Sequence, residues 1–272
     1  MRRRKNTHKD SLRPGSPPAA LDETAQLGHD PGESRGNIVA TIRVMSAGAV
    51  QAVLTALAAE FERDSGHKVD LNFGTAGAML ARIKGGEKAD VMALGSAGIA
   101  ELDKLGQLVP GSVTDLGRTV TAIIVRAGSA LPDISTPAAF KQALRDTPSF
   151  AYTDPKAGGT GGIMFAGLLE RLGLADEINS KAVLCKGGHH VSVTVAEGGA
   201  ALGTTFISEA LPVPGVTVVG PLPGDLYHAN TYAAAVAAAS AAPEAATTFL
   251  SVLTDPASRP RWNAAGLEPA FP

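Results

Sequence analysis

Residues 37–96 read NIVATIRVMSAGAVQAVLTALAAEFERDSGHKVDLNFGTAGAMLARIKGGEKADVMALGS. Residues 38–45 form an apolar run bounded by small residues, which predicts a strand. Between residues 50 and 61, Val50, Val53, Leu54, Leu57 and Phe61 fall on one helical face, with Ser46 or Gly48 at its start and Gly66 at its end. KVDLNF (68–73) alternates as a second strand, and GTAGAMLARIKGG follows as a loop and short helix. ADVMALG (89–95) is continuously apolar, as expected of a strand in a sheet covered on both faces. Strand, helix, strand, helix, strand with short connections is the pattern of parallel β-α-β units, whose ligands sit at the carboxyl ends of the strands.

The loops at those ends share a character. Ser46-Ala47-Gly48-Ala49, Gly74-Thr75-Ala76-Gly77 and Gly95-Ser96 are all small, Gly-rich and hydroxyl-bearing. A helix start presents unpaired N–H groups and a partial positive charge, Gly lets the backbone approach a ligand, and Ser or Thr adds a neutral donor. One such loop is ordinary helix capping. Several converging at strand ends make an oxyanion pocket.

The middle of the chain repeats the scheme. TVTAIIVRAG (119–128) predicts a strand long enough to cross between domains, and SFAYTDP followed by 161–172 predicts strand, loop and helix. KAVLCKGG, GAALGTTFI and GVTVVGPLP read as further strands. Residues 232–241 are Ala-rich, and helices over 243–253 and near 258–265 close the chain. The expected fold class is α/β with mostly parallel sheets.

Composition narrows the function. Of 272 residues, 44% are hydrophobic, enough for a packed core, while aromatics are only 4%. Aromatics this scarce argue against a stacking surface for nucleic acid. A net charge of −2 supplies no basic field for nucleic acid or an anionic membrane. No apolar run is long enough to span a bilayer. Cys185 is the only cysteine, so no disulfide within the chain and no cysteine-based metal site is expected. No metal and no cofactor is expected. MRRRKNTHKD opens a polar, Pro- and Gly-rich segment, and residues 1–38 read as a disordered tail. The basic start lacks the apolar stretch of a secretory signal, so either the chain as written is expected in the cytoplasm or its start codon is misassigned.

Other motifs are weaker. GGTGG (158–162) lacks the Lys-Ser/Thr ending of a phosphate loop and the spacing of a dinucleotide fingerprint. His189 and His190, read as neighbours in an extended segment, would point to opposite sides and not share a metal. One of them is a candidate ligand contact, and Lys156 and Asp154 read as loop and turn residues. No Ser-His-Asp order and no carboxylate pair for glycoside chemistry is legible.

Several segments together resemble the molybdate-binding family of type-2 periplasmic solute-binding proteins. They are SAGAVQAVLTALAAEFERDSGHKVDLNFGTAGAMLARI, KADVMALGS, YTDPKAGGTGGIMFAGLLERLGL, GVTVVGPLPGDL and FLSVLTDPASRPRWNAAGLEP, in this order over residues 40–272. The resemblance implies two α/β lobes joined by two crossover strands, with the ligand in the cleft between them. Lobe 1 would be discontinuous, 39–122 plus 225–272, and lobe 2 would be 123–224. It implies a monomer that takes a small anion (molybdate, tungstate or a di- or tricarboxylate) to an ABC-type permease, from the periplasm. The oxyanion would be held by Ser46, Gly48 and Ala49, then by Thr75, Ala76 and Gly77, and by Thr160 and Gly161. Gly188 with His189, and Phe206 or Ser208, would complete the set. This chain departs from the family pattern in three places. Its second loop reads Thr-Ala-Gly where Ser-Ser is usual, Phe206 stands where a Tyr hydroxyl is common, and His189-His190 flank the site. The same group includes an aconitate isomerase. That likeness implies an alternative, a double-bond shift in an unsaturated polycarboxylate with His189 or His190 as the base.

Overall fold

A computed structural model describes residues 39–271. The segment expected to be a disordered tail, residues 1–38, lies outside the described residues.

The opening stretch folds as its periodicity predicts: strand β1 (Thr41–Ala47), helix α1 (Gln51–Ser65), β2 (Lys68–Gly74), α2 (Ala76–Lys84), β3 (Val91–Gly95) and α3 (Ser96–Lys104). Val53, Leu54, Leu57 and Phe61 of α1 are buried, and Gly66 ends the helix in the left-handed region at φ 77°. β4 (Thr114–Arg126) follows, then α4 (Pro137–Asp146), β5 (Phe150–Thr153), α5 (Thr160–Leu172), α6 (Ala175–Asn179) and β6 (Ala182–Cys185). Next come α7 (Gly188–Ala196), β7 (Leu202–Phe206), α8 (Ile207–Ala210), β8 (Val216–Pro221) and β9 (Ala229–Val236). The chain closes with α9 (Pro243–Leu253), α10 (Arg259–Ala264) and β10 (Glu268–Pro269).

Strand order is β2-β1-β3-β9-β4-β7-β5-β6, with β8 and β10 also pairing β4. β1 pairs β2 and β3 in parallel, and β5 pairs β6 and β7 in parallel. The antiparallel pairs all involve β4 or β9. β4 is 13 residues long and serves two sheets. Its first half, Thr114 to Val120, pairs β9, and from Thr121 onward it pairs β7 and β8.

The core is divided accordingly. One apolar cluster draws on residues 42–116 and 232–271, with Phe206. Two others draw only on residues 123–226. The Ala-rich segment is β9, where Ala233, Ala234 and Ala235 are buried. Alanine is a weak strand former, but a strand covered on both faces favours small side chains.

One local reading is corrected. His189 and His190 lie in the first turn of helix α7, not in an extended segment. The β-branched run Val191, Val193, Val195 suits a strand by propensity. Packing overrides it, because Val191 and Val195 pack against Gly203 of β7 at helical spacing, and the buried Ser192 hydroxyl donates to the Glu209 carbonyl of α8.

Candidate functional site

The ends of β1, β2, β5, β6 and β7 open onto one cleft of about 260 Å³. Each strand end delivers the start of a helical segment. After β1, a short 3-10 turn, Gly48–Val50, leads into α1, and no side chain caps its amides. After β2, Thr75 is the N-cap of α2. After β5, Gly159 precedes Thr160 at the head of α5, again with no side-chain cap. After β6, Gly187 precedes Gly188 at the head of α7, where the Glu209 carboxyl already accepts from the Gly188 amide. Three heads thus face one space, the arrangement that draws an anion, and the two at Gly48 and Thr160 have no side-chain cap.

The expected residues divide into three groups. Gly48, Ala49, Thr75, Ala76, Thr160, Gly161, Gly188, His189, His190 and Phe206 all line the cleft. Of these, Thr160 keeps a hydroxyl that engages no protein group among the described residues. Thr75 does not: its hydroxyl accepts from the Ala78 amide at 3.2 Å and donates to the Ala157 carbonyl. It closes the cleft wall instead of offering a donor to a ligand. His190 Nδ1 accepts from the Lys186 amide at 3.4 Å, and both histidines are exposed.

Ser46, Gly77 and Ser208 do not reach the cleft. Ser46 is fully buried, with its hydroxyl on the Ala47 carbonyl, because β1 turns that side chain into the core. The Gly77 amide donates to the Gly158 carbonyl at 2.9 Å, fastening α2 to the loop before α5. Ser208 is buried, its amide donates to the Thr119 hydroxyl, and its own hydroxyl has no partner among the described residues. The Gly95-Ser96 loop is also turned away, with the Ser96 hydroxyl on the Thr231 carbonyl. The glycines of GGTGG are packing residues: Gly158 sits at φ 73°, and a side chain at Gly162 would collide with the Thr153 carbonyl.

Sequence reasoning missed Glu209. It lies in α8, and its carboxyl is held between two of the cleft's glycines. Thr205 donates to its Oε2 at 3.1 Å. A Cβ at Gly188 would collide with that oxygen, and one at Gly48 would sit 3.5 Å from Oε1. Glu209 retains some exposed surface, and that surface belongs to the cleft lining. Burial pushes its carboxyl up to about 7, and hydrogen bonds from Thr205 and from the Phe206 and Gly188 amides only partly oppose this.

Tyr232 of β9 lines the same space, edge-on to Phe206 at 6.3 Å. Burial, and then the charge of Glu209, push its phenol upward, with Asn230 acting the other way. Thr121, on β4 where the strand changes sheets, shares a 3.0 Å hydrogen bond with His228. Burial holds His228 below the usual imidazole range. Among the described residues, no group of three or more His, Cys, Asp or Glu is placed to hold a metal. No described helix is long and apolar enough to cross a membrane.

The family model described as bacterial extracellular solute-binding protein matches residues 42–268. The chain belongs to this family. The solute-binding fold is shared with solved structures of lower identity. The periplasmic molybdate-binding protein of Azotobacter vinelandii superposes with a TM-score of 0.70 at 22% identity, covering 83% of this chain and 98% of that one. The sulfate-binding protein SubI of Mycobacterium tuberculosis H37Rv superposes with a TM-score of 0.66 at 19% identity, covering 86% and 88%. In sequence, the chain is 32% identical over 237 residues to an aconitate isomerase of a Pseudomonas species, covering 85% of this chain and 88% of the relative.

Proposed function

We propose that this solute-binding protein captures one small anion, an oxyanion or a carboxylate, in the cleft and presents it to an ABC-type permease. The observation that carries this reading is the convergence of three helix heads on one small space, those at Gly48 and Thr160 without a side-chain cap and that at Gly188 shared with Glu209. A volume of about 260 Å³ suits a ligand at or below the small end of ordinary pockets. The reading takes the walls as two lobes, 39–122 with 225–272 and 123–224, hinged where β4 changes partners.

A thermal-shift panel tests it, with molybdate, tungstate, sulfate, phosphate, citrate, and cis- and trans-aconitate. A ligand at 100 times its dissociation constant stabilises the fold by about 2.7 kcal/mol. A shift with at least one of these anions is expected. No shift with any of them at millimolar concentration removes the reading.

A second reading is favoured by the 32% identity to an aconitate isomerase and by an acid-base group inside the cleft. A base would take a proton from the methylene of an unsaturated tricarboxylate. The double bond would move by one carbon, and a proton would return to the former vinyl carbon, with nothing else entering or leaving. Glu209 joins His189 and His190 as a candidate for that base. Mixing the chain with cis-aconitate and separating the products decides it. Formation of trans-aconitate, lost in Glu209→Gln or in His189→Ala with His190→Ala, is the result this reading expects. No conversion leaves simple capture.

A further inference from the structure

Glu209 raises a question that the capture reading leaves open. A cleft suited to anions contains an acid of its own, so ligand and side chain oppose each other whenever both are fully ionised. We infer that capture is coupled to one proton held between Glu209 and the ligand. The site therefore prefers anions able to share a proton, such as hydrogenphosphate or a polycarboxylate, over oxyanions with none left, such as sulfate and molybdate. This inference rests on the anion-cleft reading and specifies its ligand class.

The geometry is as follows. Glu209 Oε2 lies at the head of α7, held by Thr205 and close against Gly188. It therefore takes up part of the donor capacity that an incoming oxyanion would use at that head. Oε1 lies toward Gly48, at the opposite head. Any anion bound between these heads stands beside this carboxyl.

Among the described residues no cation pairs with Glu209 to cancel its charge. On β7 the contacting group is the Thr205 hydroxyl, and on β9 the buried Tyr232 phenol feels the charge of Glu209. The turn after β1 contributes only Gly48, Ala49 and neutral Gln51 to the cleft. On β4, Thr121 faces the cleft with His228 behind it, while Arg118 pairs with Glu268 and Arg126 is exposed. β8 carries no titratable side chain. α7 brings His189 and His190, and the loop before it brings Lys186. All three are exposed at the rim and none hydrogen-bonds Glu209. The groups that do bond Glu209 are neutral donors, which leave its net charge in place.

The proton can come with either partner. A neutral Glu209 donates to a bound oxygen, and an ionised one accepts from a ligand that still carries its proton. Sulfate and molybdate can use only the first route. Above the pH at which Glu209 titrates in the free protein, near 7, each further pH unit then raises their dissociation constants about tenfold. Below it the dependence levels off.

Isothermal titration of the full chain tests this, with trans-aconitate, inorganic phosphate and molybdate as probes. Titrations at pH 8 in buffers of different ionisation enthalpy count the protons taken up on binding. Net uptake approaching one proton is expected for trans-aconitate and molybdate, which carry none at pH 8, and almost none for hydrogenphosphate, which brings its own, with molybdate the weakest of the three. In Glu209→Gln, uptake falls to that of the ligand alone, the pH slope for molybdate disappears, and molybdate gains on the others. Tight binding of trans-aconitate or molybdate with no proton uptake and a flat profile from pH 6 to 9 overturns the inference and leaves the anion cleft standing. Absence of binding for all three probes across that range removes the cleft reading and this inference with it. Should Glu209→Gln fail to fold, the proton count on the unaltered chain decides alone.

Discussion

Replacing Gly77 with alanine should weaken ligand capture while leaving the unliganded fold intact. Gly77 and Gly158 belong to segments anchored in different apolar cores: Ala76 and Met79 pack in the first, Phe165 in the second. The two segments meet through the 2.9 Å bond from the Gly77 amide to the Gly158 carbonyl, and beside it through the bond from Thr75 to Ala157. An alanine Cβ would lie 2.7 Å from the Gly158 oxygen and 3.1 Å from its Cα. Both are backbone atoms, so they yield only if the segments separate by roughly half an ångström. Losing one or both bonds costs about 1–3 kcal/mol, or roughly 5- to 150-fold in the dissociation constant. The helix itself would gain, because alanine exceeds glycine by about 0.5–1 kcal/mol within a helix. Weak binding could therefore not be blamed on a failed α2. Calorimetric titration with the strongest anion of the panel, alongside melting of the free protein, separates the two effects. A dissociation constant within twofold of the unaltered chain, at an unchanged melting temperature, would refute the argument that these segments must touch for capture.

Thr160→Ala should leave the melting temperature unchanged, because the hydroxyl contacts no described protein group. Titration should show anion binding weakened by about 3- to 15-fold, the usual net worth of one hydrogen bond. Glu209→Gln should stabilise the free protein in alkaline but not in acidic solution. A carboxyl raised from 4.5 to about 7 on folding opposes folding progressively as pH climbs through that window, by up to roughly 3 kcal/mol. Melting curves at pH 4.5 and 8 check this, and an equal gain at both would contradict it. Asp90 has the opposite sign. Burial alone would raise its carboxyl, but the Ser240 hydroxyl and the amides of Arg43, Ala241 and Ala242 together bring it below its ordinary value. Its stabilisation is therefore present above the ordinary carboxylate range and lost as pH falls below it. Asp90→Asn should lower the melting temperature at pH 7 and narrow the gap to the unaltered chain near pH 3.

The strand-and-helix scheme was legible because its signals are local. Apolar runs, a 3.6-residue stripe on α1 and glycine stops each lie within a dozen residues. The cleft-facing loops followed from their place at strand ends, where Gly48, Ala49, Thr160 and Gly188 line the cleft. What escaped depends on partners distant in sequence. The hydroxyl of Thr75 is engaged by Ala157, 82 residues away, and no pattern around Thr75 reveals it. Glu209 follows an apolar strand in a segment, ISEALP, that reads as an ordinary helix surface. Only the crossing of β4 brings Gly48 and Gly188 against it. Ser46 failed for a subtler reason. A strand's last residues alternate in facing, and one position decides whether a hydroxyl meets a ligand or the core.

The division of the apolar core has a consequence for the order of events during synthesis. Residues 123–226 contain every member of two clusters and can begin to consolidate as soon as they leave the ribosome. The other cluster waits for Phe249, Leu253 and Trp262, all fully buried and all made after residue 226. The half of the molecule that holds β1 to β3 is thus completed after the half that follows it in sequence, and a nascent chain halted near residue 230 would carry one consolidated half and one exposed apolar face.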